Sequence, residues 1–251
     1  MAETGDDSGV RSVLRALDLL ALFTEEHARW TIRDLTEASG LAKTTVIRLV
    51  TTLERRGLLW SSGTGHITVG PGLLRWSTLA RSTWQLPEQA RQQMRALSEE
   101  CGETVNLYVR SNVRRVCVAK HEGAQHLRHV VRVGDELPLW SGAASWVLLA
   151  DADDELLAAI VADAPAEYTV DVLRAGIAEA ANRGYAVSHG ERELGASGVA
   201  APVTDARGTV LAALAPGGPT ARFTEDNVAR FGVAVREAAR RMSQTGFGGA
   251  G

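Results

Sequence analysis

Apolar residues first recur at helical spacing. Val10, Val13, Leu14, Leu17, Leu20 and Ala21 share one side of a helix predicted over residues 12–24. Thr31-x-x-Asp34 is a capping-box pattern that opens a second helix, and Ser39-Gly40 closes it, glycine supplying a left-handed turn. A third helix is predicted over 42–56, with Gly57 as its stop. Val46, Leu49, Val50 and Leu53 fall on one side of it, and Thr44, Arg48, Thr51 and Arg55 on the other. Leu58-Leu59-Trp60 and His66-Ile67-Thr68-Val69 flank the polar run Ser61-Ser62-Gly63-Thr64-Gly65 and read as strand, turn, strand.

Pro71 then starts a helix with Leu73, Leu74, Trp76 and Leu79 on its apolar side, and Pro87 starts another with Met94 and Leu97 inward. After Cys101-Gly102 the period becomes two. Val105, Leu107 and Val109 alternate with Asn106, Tyr108 and Arg110. Further strands are predicted over 115–120, 127–133, 185–188, 198–204 and 209–215. Helices are predicted over 143–150, 153–161, 170–183 and 224–243, the last with Val228, Phe231, Val235, Ala238 and Ala239 inward.

The pattern predicts an α+β chain in two parts. Residues 10–70 form a winged helix-turn-helix, whose third helix is the one that enters a DNA major groove. Residues 71–84 connect, residues 85–243 form an antiparallel-sheet sensor domain, and 1–9 and 244–251 are flexible tails. Charge supports the division. Net charge is −3, yet residues 8–85 hold ten Arg/Lys against six Asp/Glu, a local excess of about four. A basic module joined to an acidic remainder suits double-stranded DNA as partner. With no signal peptide, no long apolar span and only two cysteines, the reducing cytoplasm is expected and no membrane is involved.

Lys43, Thr44, Thr45 and Arg48 occupy the first two turns of the third helix, with Thr51 one turn on; there side chains reach base edges and the helix N-terminus favours phosphate. Ser61, Ser62, Thr64 and His66 on the hairpin are placed to touch the DNA backbone beside it.

The run GLAKTTVIRLVTTLERRG resembles the recognition segment of IclR-type transcriptional regulators. The resemblance continues through Gly102-Glu103-Thr104-Val105-Asn106-Leu107, Val133-Gly134-Asp135-Glu136-Leu137-Pro138-Leu139, Arg183-Gly184-Tyr185-Ala186 and Gly198-Val199-Ala200-Ala201-Pro202-Val203. It implies a GAF-like C-terminal domain for a small-molecule effector, a homodimer or homotetramer on operator DNA, a repressor's role, and no cofactor or catalytic activity. By the same resemblance, Leu137, Ala143, Ala144, Ser188, Gly198, Ala215 and Gly217 surround the effector, with His129 as a polar candidate. Two serines that face the effector's carboxylate in well-known members are Ala215 and Gly217 here, and the Gly-Lys that opens a helix is Ser145-Trp146. Losing the hydroxyls implies a larger, more apolar ligand, such as an amino acid or aromatic acid, anchored by backbone N–H groups at Ala143-Ala144. The alternative is a constitutive repressor whose C-terminal domain only oligomerises.

Other constellations point elsewhere. His126 and His129 are three apart on a predicted strand and so face opposite sides, which does not suit a metal. Strand parity puts His129 with Leu127, Val131 and Val133, either as a core histidine or as a polar group in a pocket. Cys101 and Cys117 read as small apolar fillers rather than a redox pair. Trp140 and Trp146 read equally as pocket wall or as core. Ser188-His189-x-Glu191 holds the residue types of a hydrolase, but there is no nucleophile elbow, and no Gly-rich phosphate loop occurs.

Overall fold

The computed structural model of the chain describes residues 9–125 and 131–245. The backbone divides into two compact units, residues 1–83 and 84–251. In the N-terminal unit α1 (Arg11–Ala21), α2 (Ile32–Ser39) and α3 (Lys43–Arg55) precede an antiparallel ribbon, β1 (Leu59–Ser61) and β2 (Ile67–Val69), and then α4 (Gly72–Thr83). The capping box forms at both ends: the Asp34 N–H donates to Thr31 Oγ1 at 3.2 Å and the Thr31 N–H to Asp34 Oδ2 at 3.2 Å. Gly40, at φ +65°, ends α2. Val46, Val50 and Leu53 of α3 pack with Leu19, Leu35, Leu59 and Ile67 into one small core.

The ribbon is tied to that core twice. Trp30 and Ile67 exchange backbone hydrogen bonds at 3.0 and 2.7 Å. Gly72 lies so close to Gly57 that a Cβ on it would sit 2.7 Å from the Gly57 carbonyl oxygen. The helical spacing of Val13, Leu14 and Leu17 on α1, and of Leu74, Trp76 and Leu79 on α4, is real, but these side chains remain exposed.

The C-terminal unit runs α5 (Glu88–Cys101), β3 (Thr104–Ser111), β4 (Arg114–His121), β5 (Glu136–Pro138), α6 (Ala143–Leu148), α7 (Asp154–Ala162), α8 (Val170–Arg183), β6 (Ala186–His189), β7 (Ala196–Thr204), β8 (Val210–Pro219) and α9 (Glu225–Thr245). Six antiparallel strands order as β5-β4-β3-β8-β7-β6. Val105, Leu107 and Val109 face α5 and α9, in a core with Met94, Leu97, Phe231 and Val235. Tyr108 and Cys117 point to the opposite face, under α6, α7 and α8. The sheet is thus covered on both sides, and of the alternate residues of β3 Asn106 and Tyr108 are buried while Arg110 is exposed.

One expectation is corrected. Of the strand predicted over 127–133, residues 127–130, including His129, lie outside the described residues, as does His126. Residues 131–133 are a turn, not a strand: the Arg132 N–H donates to Asp135 Oδ2 at 2.8 Å, Val131 is buried and Val133 is 60% exposed. The paired edge strand is instead β5, which reaches β4 through Leu137 opposite Arg115. Trp146 is a core residue, its ring filling the gap over Gly176, where a Cβ would lie 2.8 Å from the indole. Trp140 lies at the edge of the same core beside the Arg114 guanidinium, 5.9 Å from the ring centroid.

Candidate functional site

Two regions carry the candidate chemistry. The first is the outer face of α3. Core packing takes Val46, Val50 and Leu53, and the period of 3.6 then turns Lys43, Thr44, Arg48 and Thr51 outward, all exposed; Thr45 is half-buried. Thr45 and Arg48 also border a groove between α1 and α3. On the hairpin the polar side chains are partly committed to one another. Ser61 Oγ donates to Glu54 of α3, Ser62 and Thr64 hydroxyls lie 2.7 Å apart, and Thr64 Oγ1 is 3.3 Å from His66 Nδ1. Ser61 therefore fixes the hairpin against α3, while Ser62 and His66 stand exposed at its tip. Two cations and several hydroxyls on one exposed helix face can meet phosphates and base edges.

The second region is a cavity in the C-terminal unit. Strand register assembles its floor. Gly217 on β8 stands opposite Thr104 on one side and Gly198 on the other, and Gly198 stands opposite Ser188. Ala215 stands opposite Asn106. Facing glycines leave this row without side chains, and Ala143 and Ala144 of α6 border the resulting space. Six of the eight effector residues named from the sequence, namely Ala143, Ala144, Ser188, Gly198, Ala215 and Gly217, thus border one cavity. Leu137 does not: it packs against the core between the sheet and α6. His129 lies outside the described residues.

Five further lining residues with polar side chains escaped the sequence reading: Asn106, Tyr108, Arg115, Arg192 and Ser197. They bring charge and hydrogen-bonding groups to a lining otherwise made mostly of small residues. Arg115 is 4% exposed, and its Nη1 donates to the Ser141 carbonyl at 2.5 Å and to Ser145 Oγ. Its Nε is buried without a hydrogen-bond partner among the described residues. Burial pulls the Arg115 guanidinium down to about 10, so it still carries its charge at neutral pH. Burial likewise pushes the Tyr108 phenol up and holds it neutral. Glu191 reaches the same region and accepts from the Gly142 N–H at 2.8 Å; burial pushes its carboxyl up, against the opposing pull of that hydrogen bond and of Arg115. The cavity measures about 60 Å³, room for about four to six waters at about 10–15 Å³ each.

The Ser188, His189 and Glu191 side chains form no nucleophile–base relay. His189 Nδ1 lies 3.0 Å from Ser197 Oγ, and Glu191 is turned to Gly142. Cys101 and Cys117 are buried in separate cores on opposite faces of the sheet, and burial pushes both thiols up to about 12. Among the described residues no three metal-ligating side chains gather, and no helix is long and apolar enough to cross a membrane.

A winged helix-turn-helix with an exposed cationic face, in one chain with a sheet domain that carries a cavity lined by both polar and apolar groups, has the layout of a transcription regulator with a separate sensing domain. The chain belongs to the IclR family: residues 12–61 match the IclR helix-turn-helix domain and residues 79–244 the C-terminal domain of bacterial IclR transcriptional regulators. It is therefore a DNA-binding transcriptional regulator with an effector-binding C-terminal domain, not an enzyme. It is 28% identical to the transcriptional repressor IclR of Escherichia coli, over 93% of this chain and 89% of that one. The crystal structure of an IclR-family regulator from Rhodococcus sp. is 44% identical, covers 98% of each chain and superposes with a TM-score of 0.64. An IclR homolog of Microbacterium hydrocarbonoxydans, crystallised with 4-hydroxybenzoate, shares the fold at 23% identity and a TM-score of 0.71, over 93% of this chain and 98% of that one.

Proposed function

We propose that this chain is a cytoplasmic repressor that leaves its operator when a small carboxylic acid enters the cavity of the C-terminal unit. The observation that carries the reading is the exposed face of α3, where Lys43, Thr44, Arg48 and Thr51 stand together beside the hairpin tip of Ser62 and His66. Exposed Val13, Leu14 and Leu17 on α1, with Leu74, Trp76 and Leu79 on α4, support assembly as a homodimer or homotetramer. Paired modules must meet half-sites a fixed distance apart, so a small rotation of one against the other abolishes the fit. Of the amino acids and aromatic acids that the sequence suggests, the volume of about 60 Å³ favours a compact amino acid. Coupling of about 1–3 kcal/mol between cavity and DNA is enough to change occupancy about 5- to 150-fold.

A second reading draws on the same small volume. With little room in the cavity, the C-terminal domain only oligomerises and the protein represses constitutively. Footprinting on the chain's own promoter, with and without a panel of amino and aromatic acids, separates the two. Protection that an acid relieves supports the effector-controlled repressor. Protection that no acid alters supports the constitutive one, and absence of any protection sinks the assignment of the α3 face.

A further inference from the structure

The cavity contains a buried charge, that of Arg115, which lies 5.5 Å from the Tyr108 ring centroid but which no carboxylate touches among the described residues. Arg115 extends from β4 and is 4% exposed. Among the described residues its hydrogen bonds all leave from Nη1, to the Ser141 carbonyl and Ser145 Oγ, and these hold the guanidinium in place. Among the described residues no carboxylate is in ion-pair contact with it: Glu191, whose carboxyl Arg115 pulls down from a distance, accepts from the Gly142 N–H. Among the described residues the buried Arg115 Nε makes no hydrogen bond. The fold makes space for the guanidinium at a cost: Gly142 adopts φ +91°, and a Cβ there would sit 3.0 Å from Nη2. A buried cation without a counter-ion is destabilising, and an apolar side chain of similar volume would be better tolerated. The arrangement makes physical sense if the counter-ion comes from outside.

The geometry assigns Arg115 as the specificity-determining residue of the cavity: its guanidinium is the counter-ion of one carboxylate on a compact acid, and it excludes neutral ligands of the same shape. This rests on the reading of the cavity as an effector site. Asn106, Ser188 and Ser197 border the same space and complete the hydrogen bonds of a small polar molecule. A single negative charge matches, because Arg192, the other cation on the cavity wall, already pairs with Glu193 at 3.1 Å.

The test uses the full chain and titrates acetate, propionate and benzoate against acetamide, propionamide and benzamide at fixed ionic strength. The readout is the thermal unfolding midpoint of wild type, Arg115→Met and Arg115→Lys. Wild type responds to acetate and propionate and not to the amides, and benzoate acts more weakly than propionate. Arg115→Met is at least as stable as wild type without additive, and its apparent affinity for propionate falls tenfold or more. Arg115→Lys keeps the preference for acid over amide with reduced affinity, which leaves the test decisive even if Arg115→Met does not fold. Equal response to acid and amide, no response of wild type to any acid, or a propionate affinity within twofold of wild type in Arg115→Met overturns the assignment. Operator binding in the same samples separates the two claims. If Arg115→Met still releases DNA on adding acid, only the role of Arg115 is lost. If wild type binds acid through Arg115 and operator affinity does not change, only the regulatory reading is lost.

Discussion

Glu103 and Arg222 form a two-pronged ion pair across 119 residues of sequence, Nε to Oε1 at 2.5 Å and Nη2 to Oε2 at 2.7 Å. Glu103 is 3% exposed, and the pair joins the start of β3 to the short turn between β8 and α9. Removing Glu103 takes from the partly exposed Arg222 a bidentate, charge-assisted partner. Glu103→Ala is expected to destabilise the chain by about 1.5–3 kcal/mol, with Glu103→Gln milder. Urea denaturation checks this; an unchanged midpoint for the alanine variant would mean that the pair contributes nothing net.

Arg48 stands on the exposed face of α3, clear of the buried side. Arg48→Ala is expected to weaken operator binding by about 1–3 kcal/mol if the guanidinium grips a base in two places. If it holds only phosphate, sequence preference survives and the slope of log affinity against log salt falls by about 0.9. Affinity and salt dependence that both stay at wild-type values refute the assigned face.

The uncovered apolar side chains of α1 and α4 make a prediction about assembly. The full chain is expected to sediment as a dimer or larger at micromolar concentration. Leu17→Asp or Trp76→Asp should shift the equilibrium toward monomer, because each puts a charge where an apolar contact is expected. A wild-type chain that sediments as a monomer and still grips its operator tightly argues against paired modules.

Glu191 makes a prediction with a sign. Burial raises its folded-state pKa above the ordinary carboxylate value of 4.5. The folded protein therefore binds this proton more tightly than the unfolded chain does, and the group adds stability as pH falls through the raised value toward about 4.5. Above that window the charged form carries the cost of burial. Glu191→Gln keeps an acceptor for the Gly142 N–H and removes the charge, so at pH 7 it is expected to be as stable as wild type or more so. The difference should close as pH falls. A difference that widens on acidification contradicts the raised value.

The parts of this fold that were legible in the sequence are those where one periodicity has one cause. The outward Thr44, Arg48 and Thr51 follow from the inward Val46, Val50 and Leu53, and Thr31 with Asp34 announces the start of α2. The exposed stripes of α1 and α4 were legible as stripes, but period reports that a face is apolar, not what covers it. The cavity was harder. Asn106 and Tyr108 alternate with apolar neighbours and so resemble the solvent side of a strand, whereas α6 covers that side and both are buried. Arg115 carried no signal of its own, since an arginine in a strand is ordinarily exposed. The clue lay in a different segment: residues 141–149 are buried without a break, and the uniformly small or apolar run there marks a helix laid on a second face of the sheet. The short β5 and the turn at 131–133 depend on tertiary pairing with β4, which local spacing does not encode.

The sheet separates two kinds of change. Val105, Leu107 and Val109 of β3 serve the core under α5 and α9, and Asn106 and Tyr108 face the cavity. Substitutions at Asn106, Arg115, Ala215 or Gly217 are therefore expected to change the cavity lining without disturbing Leu107, Leu214 or Phe231 on the far side. Gly217 and Gly198 have backbone room for a Cβ, whose closest non-neighbour contact at either position would be 3.6 Å. A scaffold partitioned this way can acquire a new chemical vocabulary one strand position at a time, which makes it a natural starting point for building sensors of other small molecules.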